Sequence, residues 1–214
     1  MRIVLIDGHP DANRLTSHLL DEYQRHCGGA AQIDRLVLRD MDFDPVLHKG
    51  YVEPQSWEPD LLHAARLIDA CDHMVFAFPM WWGAEPALLK GFVDRVLLPH
   101  FTFRYHDNDS FWDGLLAGRS ADALVTLDTP PIFLRFAYGN SIMHRWRKQI
   151  LGFCGLKPAR LYLFGPVRRG SAEKKMAGWH RKLARAAQKA AAASRSKKLH
   201  HLEDFLNYRA GKES

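Results

Sequence analysis

Three short stretches of this 214-residue chain carry the side chains that chemistry would need. The first is His9-Pro10-Asp11-Ala12-Asn13-Arg14-Leu15-Thr16, between an apolar run and a helical one. The first N–H groups of a helix lack intrahelical partners, and with the helix dipole they attract phosphate. Asn13, Thr16 and Ser17 can add amide or hydroxyl contacts there, and Arg14 a cation; an ordinary capping turn would use the same residue types. The second stretch, Phe78-Pro79-Met80-Trp81-Trp82-Gly83-Ala84-Glu85-Pro86, has two adjacent tryptophans whose side chains diverge, so both can hardly enter a core. A large planar ligand can stack on one of them, or the pair can seal the end of a sheet. Gly83 would let backbone amides approach a ligand closely. The third, Thr126-Leu127-Asp128-Thr129-Pro130-Pro131, offers hydroxyls and a carboxylate, which turn chemistry explains equally well.

Several chemistries have no footing. There is no GxGxxG, no GxxxxGK[ST] and no GxSxG, which argues against a Rossmann dinucleotide loop, an NTPase phosphate loop and a nucleophile elbow. The twelve histidines are scattered, with His200-His201 the one adjacent pair and no HExxH, so no metal site is expected. The three cysteines, Cys27, Cys71 and Cys154, lie far apart without a CxxC, which suits a reducing compartment rather than a disulfide framework. Lys90 and Asp94 read as a solvated i,i+4 pair.

The elements that must position these loops follow from periodicity. Arg2–Asp7 is a continuous apolar run, the mark of a buried parallel strand, and His73–Phe78, Ala121–Leu127 and Arg160–Phe164 read as further strands. Ala31–Leu38 is a further strand and Phe101–Tyr105 a short one. Leu15, Leu19, Leu20 and Tyr23 have helical spacing, and Gly28-Gly29 ends that helix. Asp60–Ala70, the stripe Leu89, Phe92, Val93 and Val96, and Lys174–Ser194 are further helices; another precedes Phe153. Met41–Pro59 is a long irregular stretch with three prolines. Strands alternating with helices give a parallel sheet covered on both faces, which binds ligands at the carboxyl ends of its strands. The three loops above fall after the first, third and fourth long strands. The expected organisation is one domain over 1–195 and a polar, basic tail over 196–214.

The chain carries a formal net charge of +6 with hydrophobic residues at 47%. Val167–His201 has eleven Lys and Arg against Glu173 alone, a local charge of +10, which leaves −4 on the remainder. A chain-wide nucleic-acid surface is therefore not expected. The basic helix reads as a solvated face, with an anionic membrane leaflet or a partner protein as further readings; Arg168 and Arg169 stand better placed for a dinucleotide phosphate. No apolar run reaches the ~18 residues of a membrane span, and the amino terminus starts a strand rather than a signal peptide, so a cytoplasmic location is expected.

The segment Phe78-Pro79-x-Trp81-Trp82-x-x-x-Pro86-Ala87-x-Leu89-Lys90-Gly91-x-x-Asp94-Arg95-Val96 strongly resembles the flavodoxin-like NAD(P)H:quinone oxidoreductase family. Gly8-His9-Pro10, Phe43-Asp44-Pro45-Val46-Leu47 and Phe153-Cys154-Gly155 are similar to that family in the same order, over about residues 2–190. The resemblance implies a flavodoxin-like, doubly wound, five-stranded parallel sheet with a flavin, FMN or FAD, across its end. It implies His9 at the flavin phosphate region, followed by the Asn13-Arg14 turn with Leu15 and Thr16 in contact. Pro79, Met80, Trp81, Trp82 and Gly83 would hold the isoalloxazine, and Thr126, Asp128 and Thr129 its polar edge. It further implies NAD(P)H as co-substrate, hydride transfer through flavin N5 to a quinone, ping-pong kinetics and a homodimer. Tyr138 and His144 stand at a spacing comparable to a Tyr and a His that assist hydride transfer in the better-known members. This chain departs from the family where Thr129 is followed by Pro130-Pro131 instead of a Thr-Thr-Gly-Gly type segment, and where Arg14 replaces a common Ser. Azo or nitro compounds as acceptors, an ancillary subunit of a potassium efflux system and a flavodoxin-type electron carrier are the competing functions.

Overall fold

In the computed structural model, which describes residues 1–29, 31–168, 170–192 and 198–213, five parallel strands form the central sheet. They are β1 (Arg2–Asp7), β2 (Gln32–Val37), β3 (His73–Pro79), β6 (Ser120–Thr126) and β7 (Ala159–Phe164), in the order β2-β1-β3-β6-β7. The crossovers run through α1 (Leu15–His26), α2 (Pro59–Ala70) and α3 (Ala87–Val96). A two-stranded antiparallel ribbon, β4 (Phe103–Tyr105) with β5 (Trp112–Gly114), accounts for the short strand expected near Phe101. After β6 come α4 (Pro131–Phe136), α5 (Ser141–His144) and a π-helical turn over Arg145–Leu151; after β7 come α6 (Met176–Ala191) and α7 (Leu202–Glu213).

Strand alternation divides the core into two layers. Ile3 and Leu5 of β1, with Val75 and Ala77 of β3, pack with Leu19, Leu20 and Tyr23 of α1 and Trp179, Leu183 and Ala187 of α6. Val4 and Ile6, with Met74, Phe76 and Phe78, pack with Leu61, Ala65 and Ile68 of α2 and Leu89, Phe92 and Val96 of α3. The sheet is thus doubly wound, and its order reverses between β1 and β3, where such sheets open a crevice at their carboxyl ends.

The irregular stretch after β2 is stitched down. Arg95, fully buried on α3, donates to the Asp44 and Ser56 carbonyls and to both Glu58 carboxylate oxygens. Gly91 is where Pro45 seats on α3: a Cβ there would lie 2.4 Å from the Pro45 Cβ and 2.6 Å from its carbonyl oxygen.

The expectation of a polar tail over 196–214 is corrected. Residues 202–213 form α7, and its Leu202 and Phe205 are buried in the α2/α3 layer. The Phe205 ring lies 4.8 Å from Trp57 and 5.6 Å from Phe101. Ahead of it, Lys198 Nζ donates to the Ala70 carbonyl and to Asp72. The basic helix runs over Met176–Ala191, after a 3₁₀ turn at Glu173–Lys175; its expected end at Ser194 lies outside the described residues. Arg169 lies outside the described residues.

Candidate functional site at the carboxyl end of the sheet

The three loops do emerge from one end of the sheet. Asp7 is paired in register with Ala77, and Pro79 with Thr126, so their strands end side by side. Gly8 N–H donates to the Ala77 carbonyl at 2.9 Å, and Met80 N–H to the Thr126 carbonyl at 2.7 Å. Gly8 lets α3 approach closely: a Cβ there would come within 2.7 Å of Leu89 Cδ2 and push that side chain aside.

Beneath the first loop sits Asp7, fully buried. Its carboxylate accepts the His9 N–H at 3.2 Å, the Ser17 hydroxyl at 2.5 Å and Arg39 Nη1 at 3.1 Å, with Arg35 Nη2 at 3.7 Å. This charge knot fixes the turn between β1 and α1. Arg35 and Arg39 come from β2 and the turn after it, so nothing in the linear spacing joins them to Asp7. A buried acid closing an apolar strand was the available signal.

Ser17 therefore turns its hydroxyl inward to Asp7 rather than toward a ligand. Arg14 is the N-cap residue of α1, and its guanidinium pairs with Asp11, both on the surface. Asn13 is exposed with φ +55°, in the left-handed region that Asn tolerates. No side chain caps α1 and no acid lies in its first turn. Thr16 is buried, and its Oγ1 has no hydrogen-bond partner among the described residues. A buried hydroxyl left unmatched costs about 1–3 kcal/mol, and this one stands in the first turn of a helix that no side chain caps.

The second loop is a tight hairpin turn. Trp81 and Ala84 exchange both backbone hydrogen bonds, at 2.9 and 3.0 Å. The two central residues have positive φ, Trp82 at +52° and Gly83 at +80°, the pairing typical of a type I′ turn. Gly supplies this without penalty; Trp does so at a cost of about 1–3 kcal/mol. Trp82 stands fully exposed and Trp81 half exposed, while Pro79 is buried and Met80 half-buried. The His9 ring meets Trp81 edge-on, centroids 5.6 Å apart, which joins the first loop to the second. Burial lowers the His9 imidazole below its ordinary value, against the pull of Asp7 and Asp11. Its Nδ1 accepts the Asp11 N–H at 3.0 Å.

Behind the hairpin, Glu85 has a fully buried side chain. It accepts Arg145 Nε at 3.2 Å, Arg145 Nη2 and Trp146 Nε1 at 2.9 Å. Burial pushes its carboxyl up, but these donors outweigh that and hold it below the usual carboxylate range. Glu85 thus ties the tryptophan turn to the π-helical segment. It lies inside the motif quoted above, yet its partners are some 60 residues distant.

In the third loop, Thr126 is buried, Asp128 exposed and Thr129 half-buried. Pro131 starts α4 at a position where its missing N–H costs nothing. Tyr138 and His144 are both exposed, on the segment that also exposes Ile132, Phe133 and Phe136. No described contact joins Tyr138 or His144 to the tryptophan turn. Lys90 and Asp94 form the expected surface pair at 2.6 Å.

An uncapped helix N-terminus and an exposed aromatic turn thus stand together at the carboxyl end of a doubly wound sheet. The family model of the flavodoxin-like fold matches residues 1–190, and this chain belongs to that family. It is 33% identical over 144 residues to human ribosyldihydronicotinamide dehydrogenase [quinone], a match covering 64% of this chain and 61% of that protein. It is 35% identical over 109 residues to the FMN-dependent NADH:quinone oxidoreductase of Caldicellulosiruptor saccharolyticus, covering 49% of this chain and 50% of that one. The matches thus span between half and two thirds of these curated relatives' lengths. Among solved structures, Smu.1420 of Streptococcus mutans superposes with a TM-score of 0.73 at 28% identity, covering 88% of this chain and all of that one.

Proposed function

We propose that this chain is a flavin-dependent reductase that takes two electrons from NAD(P)H and delivers them to a quinone or a comparable flat acceptor. The observation that carries the reading is the buried, unpartnered Thr16 hydroxyl in the uncapped first turn of α1, at the sheet end that bears the exposed Trp81-Trp82-Gly83 turn. A phosphate answers the first feature and a planar ring the second; a flavin nucleotide brings both in one molecule. The name of the Caldicellulosiruptor relative favours FMN over FAD.

When bound, the flavin supplies hydride acceptance and release, chemistry no side chain offers. The chain's own groups do the rest. The first-turn amides of α1 and the Thr16 hydroxyl hold the phosphate, while Asp7 keeps that turn in place through His9 N–H and Ser17. Pro79, Met80, Trp81 and Trp82 grip the ring and exclude water. The Gly83 amide and the Thr129 hydroxyl are suited to meet negative charge gathering at the ring's edge. Asp128, exposed on the same loop, would stand beside that edge. Tyr138 and His144 are the proton donors assigned to the acceptor side, and both need a second surface to cover them. The exposed Ile132, Phe133, Phe136 and Tyr138 supply apolar area for one, in favour of a homodimer whose partner closes the pocket.

The test is optical. Purified protein loaded with FMN should be yellow and should bleach within seconds of anaerobic mixing with NADH or NADPH. Trp81→Ala and Trp82→Ala should each retain less flavin. Bleaching would dismiss a simple electron carrier, and failure of saturating FMN and FAD to bind the folded chain would overturn the reading.

A further inference from the structure

Away from the sheet end, α1 and α6 pack side by side over one face of the sheet. His18 and Glu22 lie one turn apart on α1, and His180 comes from α6, 158 residues further along. One donor atom from each lies within 4.8 Å of the other two. The Glu22 side chain is only 4% exposed and accepts Arg25 Nη1 at 2.7 Å. His180 Nε2 stands 3.9 Å from Glu22 Oε1, beyond hydrogen-bond reach, and is a buried nitrogen with no partner among the described residues. The His18 and His180 rings are 5.7 Å apart and tilted by 47°, so stacking does not explain their meeting. A third imidazole, His26 Nε2, lies 3.9 Å from Glu22 Oε2.

We propose that His18, Glu22 and His180 bind one divalent transition-metal ion, zinc by the chemistry of the donors, and so clamp α6 onto α1. Two imidazoles and a carboxylate are a familiar zinc donor set, with a water in the fourth position. A tetrahedral zinc with ligand arms of about 2.0–2.1 Å has donor atoms roughly 3.4 Å apart. Side-chain rotations of about an ångström close that gap, and His18 is on the surface and free to make them. Arg25 donates to Glu22 Oε1, the oxygen that faces His180, and would orient that carboxylate while sharing the oxygen with the ion. Linear spacing hides this site, because the ligands come from two helices at opposite ends of the chain. It stands independently of the flavin reading.

The full-length chain, free of any affinity tag and stripped with a chelator, would be titrated calorimetrically with Zn²⁺ alone and melted with and without it. One equivalent should bind, and at about a hundredfold excess over Kd the Tm should rise by several degrees. His18→Ala and His180→Ala should each weaken the affinity by about tenfold or more and cut the Tm shift at the same zinc concentration to about half or less. Their metal-free melts should match the parent chain, which reports that they fold. His106→Ala, in a separate surface cluster with Asp109 and Asp113, should change neither reading. Absence of saturable binding, or a parent-like Tm shift in both variants, would overturn the proposal.

Discussion

The two ends of the central sheet differ in how one buried hydroxyl of α1 is treated. At the amino end, the Tyr23 hydroxyl meets His73 Nε2 at 3.0 Å and donates to Asp122 at 2.9 Å. His73 Nδ1 meets the Ser120 hydroxyl at 2.8 Å, and Arg160 Nε donates to Asp122 at 2.7 Å. Tyr23, His73 and Asp122 are fully buried, and burial with the neighbouring Asp122 charge drives the Tyr23 phenol far above its ordinary value. At the carboxyl end, Thr16 Oγ1 is unmatched, α1 is uncapped and Trp82 stands in the open. The amino end joins Tyr23, His73, Ser120 and Asp122 in one network, while the carboxyl end sets an unmatched Thr16 hydroxyl beside its Asp7 and Glu85 knots, so stability and binding should respond to different substitutions.

The largest expected effect is at the amino end. Asp122→Ala strands Arg160 and Tyr23 in a buried setting, a loss of about 3–5 kcal/mol, or roughly 10 °C in Tm. Thermal melts should register that fall, while the flavin affinity of the folded fraction stays at the parent value. The converse is Thr16→Val, which removes a hydroxyl with nothing to bond. Its Tm should hold or rise slightly, whereas FMN affinity, followed by flavin fluorescence quenching, should drop by about tenfold, the worth of a hydrogen bond to a charged group. Equal losses of stability from both substitutions would erase the distinction between the ends.

A smaller effect concerns His9. Its imidazole is lowered by burial, so the folded chain favours the neutral ring. That contribution is whole above the ordinary value of 6.5 and is lost as pH falls toward the lowered one. Protonation also takes away the Nδ1 acceptor for the Asp11 N–H. A tryptophan-fluorescence titration should show an acid step, from Trp81 against His9, that His9→Asn abolishes. The smallest effect is a silence. Burial, first among the causes, raises the thiols of Cys27 and Cys154 to about 11 and that of Cys71 to about 12. At pH 8, a thiol reagent should find none of the three in the native chain and all three after denaturation.

Which parts were legible in the sequence follows from where their causes lie. The strands β1, β3 and β6 are buried on both faces, so Ile3–Ile6 and Met74–Phe78 read as unbroken apolar runs and Ala121–Val125 as one broken only by Asp122. The amphipathic stripes of α1, α2, α3 and α6 were equally plain, and each put its apolar residues where the periodicity said. The helix α7 was missed although Leu202, Phe205 and Leu206 stand at helical spacing, because that short stripe sits among charges; Trp57 and Phe101 give the segment its reason to fold. The same division holds at the site. Trp81, Trp82, Gly83 and Thr16 announce themselves by type and local spacing. The Asp7 knot with Arg35 and Arg39, and Glu85 with Arg145 and Trp146, depend on segments that only folding brings together.

The closing helix has a practical consequence. Residues 1–190 satisfy the family pattern, yet the protein's α2/α3 layer borrows Leu202 and Phe205 from beyond that limit. Trimming the gene to the shared portion would uncover Trp57 and Phe101 and invite clumping, even though every strand of the sheet would still be encoded.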